Sequence, residues 1–268
     1  MLLDRMEIEE AGPDPVRIAR EIHRQMGFPD GAVDLGYLAD CLDIHEIKYE
    51  RLNNIEGALV TTPSRYAGSI LVNKRSGKAR RRFTIGHELG HYLNPAHQET
   101  SAQGFWCSKN DINSLRGQAK RQLTGFEKQE VEANRFASEL LMPSRQIKRS
   151  LEAFACLEEV VKLARIYGVS KEAMARKYVE LRSEPIAIIF SKDGRLRYPV
   201  KGRKMPRLYL KEGALLPHLD KAPFKQNVHA FGEVNPYEWL LSYDSGFLYC
   251  EHYPQQDGYA MTLLQLGE

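Results

Sequence analysis

The chain has 268 residues, 43% of them hydrophobic and 27% charged, with 38 basic against 35 acidic side chains for a formal net charge of +3. This composition excludes a disordered or fibrous chain and allows one large core or two smaller ones; the charge is too mild to argue by itself for nucleic acid or a membrane. Four widely spaced cysteines (Cys41, Cys107, Cys156, Cys250) with no Cys-x-x-Cys pair speak against a disulfide scaffold and against a thiolate metal site.

Residues 1–12 read as a loose or lightly docked tail without the apolar run of a secretion signal. No stretch of the chain approaches a membrane span, so the expected location is the cytoplasm, with no membrane partner. Asp14-Pro15 is a helix start, an N-cap followed by proline at the first helical position; Ile18, Ala19, Ile22 and Met26 form its apolar face and Gly27 its stop. A second short helix is capped by Asp34 and carries Leu35, Leu38, Ala39 and Leu42. Three strand-like runs follow, Ile44 to Leu52, Gly57 to Thr62 and Ser69 to Asn73, separated by Asn53-Asn54 and Pro63-Ser64. They predict a small, mainly antiparallel sheet, and one of the last two strands is the expected place for a peptide to add as a further strand. The basic run Lys74, Arg75, Lys78, Arg80, Arg81 and Arg82 reads first as a solvated helix start, with contact to an acidic or DNA-bound substrate as the other reading.

Phe83-Thr84-Ile85-Gly86-His87-Glu88-Leu89-Gly90-His91-Tyr92 contains His-Glu-x-x-His. On a helix, residues four apart lie one above the other, so His87 and His91 present two imidazoles to one point. That pair suits a tetrahedral Zn²⁺, and Glu88 is placed to act as general base on a water that the metal acidifies. Ser76 is the expected N-cap and Asn94-Pro95 the stop, with Ile85, Leu89, Tyr92 and Leu93 turned to a core and the opposite face polar. Asn94 to Arg121 is polar and aperiodic apart from Phe105-Trp106-Cys107, and it reads as a lid. His97 and Cys107 lie in it as weaker metal-ligand candidates.

The segment Leu123 to Pro143 has apolar residues at Leu123, Phe126, Ala133, Ala137 and Leu140, a helical stripe on which Glu130 also falls. A carboxylate directed into a core is costly unless it is paired or binds a metal, so Glu130 is the expected third ligand, with Glu132 in reserve. Asn134, one turn on, is placed to hydrogen-bond a ligand histidine. Tyr92 is a weak candidate for the donor that stabilises an oxyanion. Beyond Met142-Pro143, a helix over Leu157 to Ala164, the turn Tyr167-Gly168-Val169-Ser170 and a helix over Lys171 to Arg182 have a helix-turn-helix look. Lys171, Arg176 and Lys177 are a thin set for reading base edges, so a structural hairpin is favoured over direct DNA binding. From Pro185 the chain turns to strands: Ile186 to Phe190, Leu196 to Val200, Trp239 to Tyr243, Phe247 to Tyr253 and Tyr259 to Leu266, with no assignable chemistry.

Arg82 to Leu93 followed by Glu130 to Pro143 resembles the ImmA/IrrE family of zinc metallo-endopeptidases, over roughly residues 12–183. The expected fold is α+β: the resemblance implies a zincin-like metallopeptidase domain, placed at 1–145, and the pattern of the remaining chain adds a helical segment at 146–184 and a mainly β module at 185–268. The resemblance implies Zn²⁺ on His87, His91 and Glu130, with Glu88 as the base. It implies further that the substrate is a DNA-binding helix-turn-helix repressor, cleaved in stress response or in mobile-element or toxin-antitoxin regulation. The alternative is a regulatory protein that binds a transcription factor or DNA without cutting.

Overall fold

A computed structural model describes residues 3–62, 64–98, 105–108, 124–221 and 223–267, with the backbone alone for 106–108. By internal contacts the chain divides into two units, Met1–Arg149 with Arg165–Ser170, and Ser150–Ala164 with Lys171–Glu268. The segment expected as a helical domain at 146–184 is thus shared between the two. The fold is mixed α+β, and among the described residues no helix is long and apolar enough to cross a membrane.

The first unit opens with helix α1 (Arg5–Glu10) where the sequence reads as a tail. Asp4 caps it through two backbone amides, and Ile8 is fully buried, which is what docks so short a helix. Helix α2 (Pro15–Gln25) is capped by Asp14, and its stripe of Ile18, Ala19 and Ile22 is buried; α3 (Leu35–Cys41) is capped by Asp34. Strands β1 (Ile44–Glu50), β2 (Ile55–Thr61), β3 (Gly68–Asn73) and β4 (Phe105–Ser108) form a four-stranded sheet in the order β1-β3-β2-β4. Two of its three pairings are antiparallel, while β1 and β3 run parallel. Both strands expected as a free docking edge are interior. The outer side of β2 is taken by β4, which the sequence hides in a polar stretch; the lid reading for the rest of that stretch falls mostly outside the described residues.

Helix α4 (Lys78–Leu93) carries the His-Glu-x-x-His motif and packs between β2 and β3 on one side and helix α5 (Gly125–Leu141) on the other. It begins at Gly77 without a side-chain cap. Ser76, the expected cap, instead donates its hydroxyl to the buried Glu56 at 2.5 Å. Being flanked on both sides, α4 is buried all round from Thr84 to Leu93, so its polar face meets protein where one-sided amphipathicity predicts solvent. Helix α5 starts in a capping box, Thr124 with Glu127, and α6 (Ser144–Ser150) follows it.

In the second unit, helices α7 (Leu157–Ile166, its last two residues counted with the first unit) and α8 (Lys171–Leu181) precede a five-stranded antiparallel sheet. Its strands are β5 (Ile186–Lys192), β6 (Arg195–Lys201), β7 (Ala230–Val234), β8 (Phe247–Pro254) and β9 (Tyr259–Gly267), in the order β6-β5-β9-β8-β7. Asp193 and Gly194, both at positive φ, make the β5–β6 turn. The run Trp239 to Tyr243 is not a strand. A 3₁₀ turn at Pro236–Glu238 drops Trp239 into the core beside Leu216, Phe224, Leu248 and Leu264, and β7 occupies the edge of the sheet. The aromatic run imitates a strand because a buried Trp-Leu-Leu has the same composition whichever backbone carries it.

A candidate metal centre between two helices

The site begins with two glycines of α4. A Cβ added at Gly86 would lie 3.4 Å from Ala137 Cβ, and one at Gly90 would lie 3.1 Å from Ala133 Cα and 3.0 Å from Phe136 Cδ1. Small residues four apart on both helices therefore let α4 and α5 approach closely. That approach delivers Glu130, one turn before Ala133, to the motif histidines. His87 Nε2 lies 3.2 Å from Glu130 Oε2, His91 Nε2 lies 3.2 Å from Glu130 Oε1, and the two ring nitrogens are 3.1 Å apart. Both histidines are wholly buried and Glu130 is 2% exposed.

A tetrahedral ion with ligand bonds of roughly 2.0–2.1 Å separates its donors by about 3.3 Å, close to the His87–His91 nitrogen spacing and to the distance from each nitrogen to the Glu130 oxygen nearest it, so the two imidazoles and one carboxylate suit such an ion. Among the described residues this is the one group of three His, Cys, Asp or Glu side chains close enough to hold a metal. Burial pushes the His91 ring down to about 4, against the pull of Glu130 and with the charges of His87 and Arg65 adding to it. At His87 burial acts the same way, but the hydrogen bond to Glu130 and the charges of Glu88 and Glu130 outweigh it and the pKa rises. Burial tends to raise the Glu130 carboxyl, yet the two histidine hydrogen bonds bring it down to about 2.

Glu88 is also wholly buried, on the side of α4 facing the sheet. A Cβ at Gly57 of β2 would come within 3.0 Å of Glu88 Oε1 and 2.3 Å of Thr84 Cγ2, so only glycine lets the strand pack this close to the carboxylate. Asn134 Oδ1 accepts from His87 Nδ1 at 3.0 Å, which puts the lone pair of that ring on Nε2, toward Glu130.

Glu132 is not in the cluster: its carboxylate lies 3.1 Å from His97 Nε2, and His97 Nδ1 lies 3.0 Å from His91 Nδ1. His97 therefore sits behind His91, on the ring edge away from Glu130. The sequence marks His97 only as a weak competitor for the metal, because the turn that folds it back is tertiary. Arg65 of the loop between β2 and β3 donates to the carbonyls of His91, Asn94 and His97, tying the end of α4 to that turn. Phe105 of β4 stacks on His91 at 4.6 Å. Tyr92 is buried with its hydroxyl accepting from Arg5 at 2.8 Å and the guanidinium over its ring. The Cys107 side chain lies outside the described residues.

No curated protein matches the chain. Among solved structures, a Mycobacterium tuberculosis transcriptional regulator has a similar fold, with a TM-score of 0.56 at 15% identity, covering 98% of this chain and 81% of that one. The model of the IrrE N-terminal-like domain, peptidase family M78, matches residues 39–178, which takes in the motif helix, the Glu130 helix and the sheet beside them. The chain belongs to that family of peptidases.

Proposed function

We propose that the protein is a zinc-dependent endopeptidase, with His87, His91 and Glu130 as ligands and Glu88 as general base, whose substrate is a DNA-binding transcriptional repressor. The observation that carries the reading is three buried side chains, two imidazoles and a carboxylate, whose ligand atoms lie within 4.8 Å of one another with a second buried carboxylate beside them, in a member of a peptidase family. When bound, zinc acidifies a water and polarises the scissile carbonyl. Glu88 takes the proton from the attacking water and returns it to the leaving amine. Asn134 keeps the His87 lone pair toward the metal, and glycine at 57 is what lets β2 pass against the Glu88 carboxylate. Tyr92 accepts from Arg5 through its hydroxyl oxygen and keeps its O–H to donate, so it stays the weak candidate for the oxyanion donor. The repressor substrate rests on the resemblance of the paired motifs, and the solved neighbour described as a transcriptional regulator agrees with a role in transcription. Stress response or mobile-element regulation is the setting we propose.

One observation favours binding without cleavage: His87, Glu88 and His91 have no exposed surface. Direct DNA reading by α8 is not favoured, since Lys177 is buried, Arg176 lies over Tyr198 and Lys171 over Tyr253. The test is incubation of the purified protein, with and without zinc, with any helix-turn-helix repressor that a neighbouring reading frame encodes. Zinc-dependent fragments that vanish in Glu88→Gln, while zinc content is kept, support the peptidase. A stable complex without fragments, unchanged by Glu88→Gln, refutes it in favour of binding alone. A steep loss of DNA affinity with salt would reinstate the DNA-binding alternative.

A further inference from the structure

Behind His91 lies a chain of polar groups whose hydrogen positions are fixed by one another. A neutral imidazole has one N–H and one lone pair. With the His91 Nε2 lone pair turned to the cluster, its proton is on Nδ1, 3.0 Å from His97 Nδ1. His97 must then accept at Nδ1 and carry its own proton on Nε2, 3.1 Å from Glu132 Oε2. The carboxylate has only lone pairs to offer, so it requires that proton. The reverse assignment, with His97 donating from Nδ1, would set the His97 Nε2 lone pair against the Glu132 oxygen. One end of the chain thus dictates the tautomer at the other.

We infer that His97 and Glu132 are positioning residues of the metal centre, locking His91 in its Nδ1–H tautomer with Nε2 presented for coordination. The inference rests on the proposed reading of His87, His91 and Glu130 as ligands. The elements that build it are separate in sequence and rigid in place. The turn from Asn94 to His97 closes through the His97 amide on the Asn94 carbonyl at 3.1 Å, and the Asn94 side chain caps the Ala96 amide at 3.0 Å. Asn94 also donates to the Pro13 carbonyl, and Arg65 grips the carbonyls of Asn94 and His97. Glu132 comes from α5, two residues beyond Glu130, so one helix supplies both a member of the cluster and the support for the opposite ring. The two histidines are therefore backed unequally: His87 by the neutral amide of Asn134, His91 by a carboxylate acting through a second imidazole. A carboxylate at the end of such a chain makes the leading ring more basic and resists its rotation.

The test uses the full-length protein with Glu132→Gln and His97→Leu, reading zinc affinity by chelator competition and histidine tautomers by long-range ¹⁵N–¹H correlation. Glu132 is a fifth exposed, so Glu132→Gln leaves the fold intact, checked by circular dichroism. Roughly ten- to a hundred-fold weaker zinc binding in both variants is expected, with Asn134→Ala comparable through the other ring. The zinc-loaded wild type should show His91 protonated at Nδ1 and His97 at Nε2, and Glu132→Gln should lose the fixed His97 tautomer. Wild-type zinc affinity in Glu132→Gln, or a His97 protonated at Nδ1, overturns this inference alone. A wild type that takes up no zinc overturns the ligand reading and this inference with it.

Discussion

Gly90→Ala tests whether the glycine seam of α4 sets the metal centre. The added methyl would meet Ala133 Cα at 3.1 Å and Phe136 at 3.0 and 3.2 Å, where carbon atoms prefer about 3.5–4.0 Å. Ala133 Cα is backbone and cannot turn aside, so α4 and α5 must part by about 0.5 Å. Overpacking of this kind costs about 1–3 kcal/mol, and replacing a mid-helix glycine returns about 1 kcal/mol, leaving a net loss of about 0–2 kcal/mol. The effect at the site is larger than that on stability. Glu130 rides on α5, and a shift of about 0.5 Å exceeds the roughly 0.2 Å that metal–ligand distances tolerate, so zinc affinity should fall at least about tenfold. Urea denaturation of the metal-free protein and chelator competition measure the two effects separately. Gly125→Ala, at the start of α5 with nothing within 4 Å of the added carbon, is the control and should be neutral or stabilising. If Gly90→Ala behaves like that control and binds zinc as the wild type does, the close approach of the helices is not what sets the site.

Gly57→Ala should destabilise by about 1–3 kcal/mol, because its methyl would lie 2.3 Å from Thr84 Cγ2. Thr84→Ser removes that methyl, and a double-mutant cycle by urea denaturation should show coupling of about 1 kcal/mol or more; strict additivity would refute the contact. Arg65→Met removes charged donors from the carbonyls of His91, Asn94 and His97 and should cost about 2–3 kcal/mol; an unchanged urea midpoint refutes its role as a clamp. In the second unit, burial and then the charge of His252 push His218 down to about 3. Its folded pKa is below the unfolded value, so its stabilising contribution is full above about pH 6.5 and is lost as pH falls toward 3, at up to about 1.4 kcal/mol per pH unit. His218→Phe should flatten the acid limb of the urea midpoint against pH, and an unaltered limb refutes the assignment.

What the sequence by itself determined is local. Asp14-Pro15 and Asp34 cap their helices because a cap acts over three residues, and His87 and His91 share a face because a helix repeats every 3.6. Glu130 stood out as a charge on an apolar stripe, a conflict visible within a single helix. The tertiary structure decided everything that depends on which segments meet. β4 closes the edge of β2 and Trp239 leaves the strand pattern, since neither partner is marked in the local sequence. Gly86 and Gly90 carry no signal of their role until Ala133 and Ala137 arrive opposite them. His97 reads as a weaker metal-ligand candidate until the Asn94–His97 turn folds it against His91, with Glu132 waiting on another helix. Periodicity is encoded in neighbours along the chain, whereas the hydrogen-bond partners of a buried ring are chosen by packing, where the energetic cost of an unpaired polar group is set.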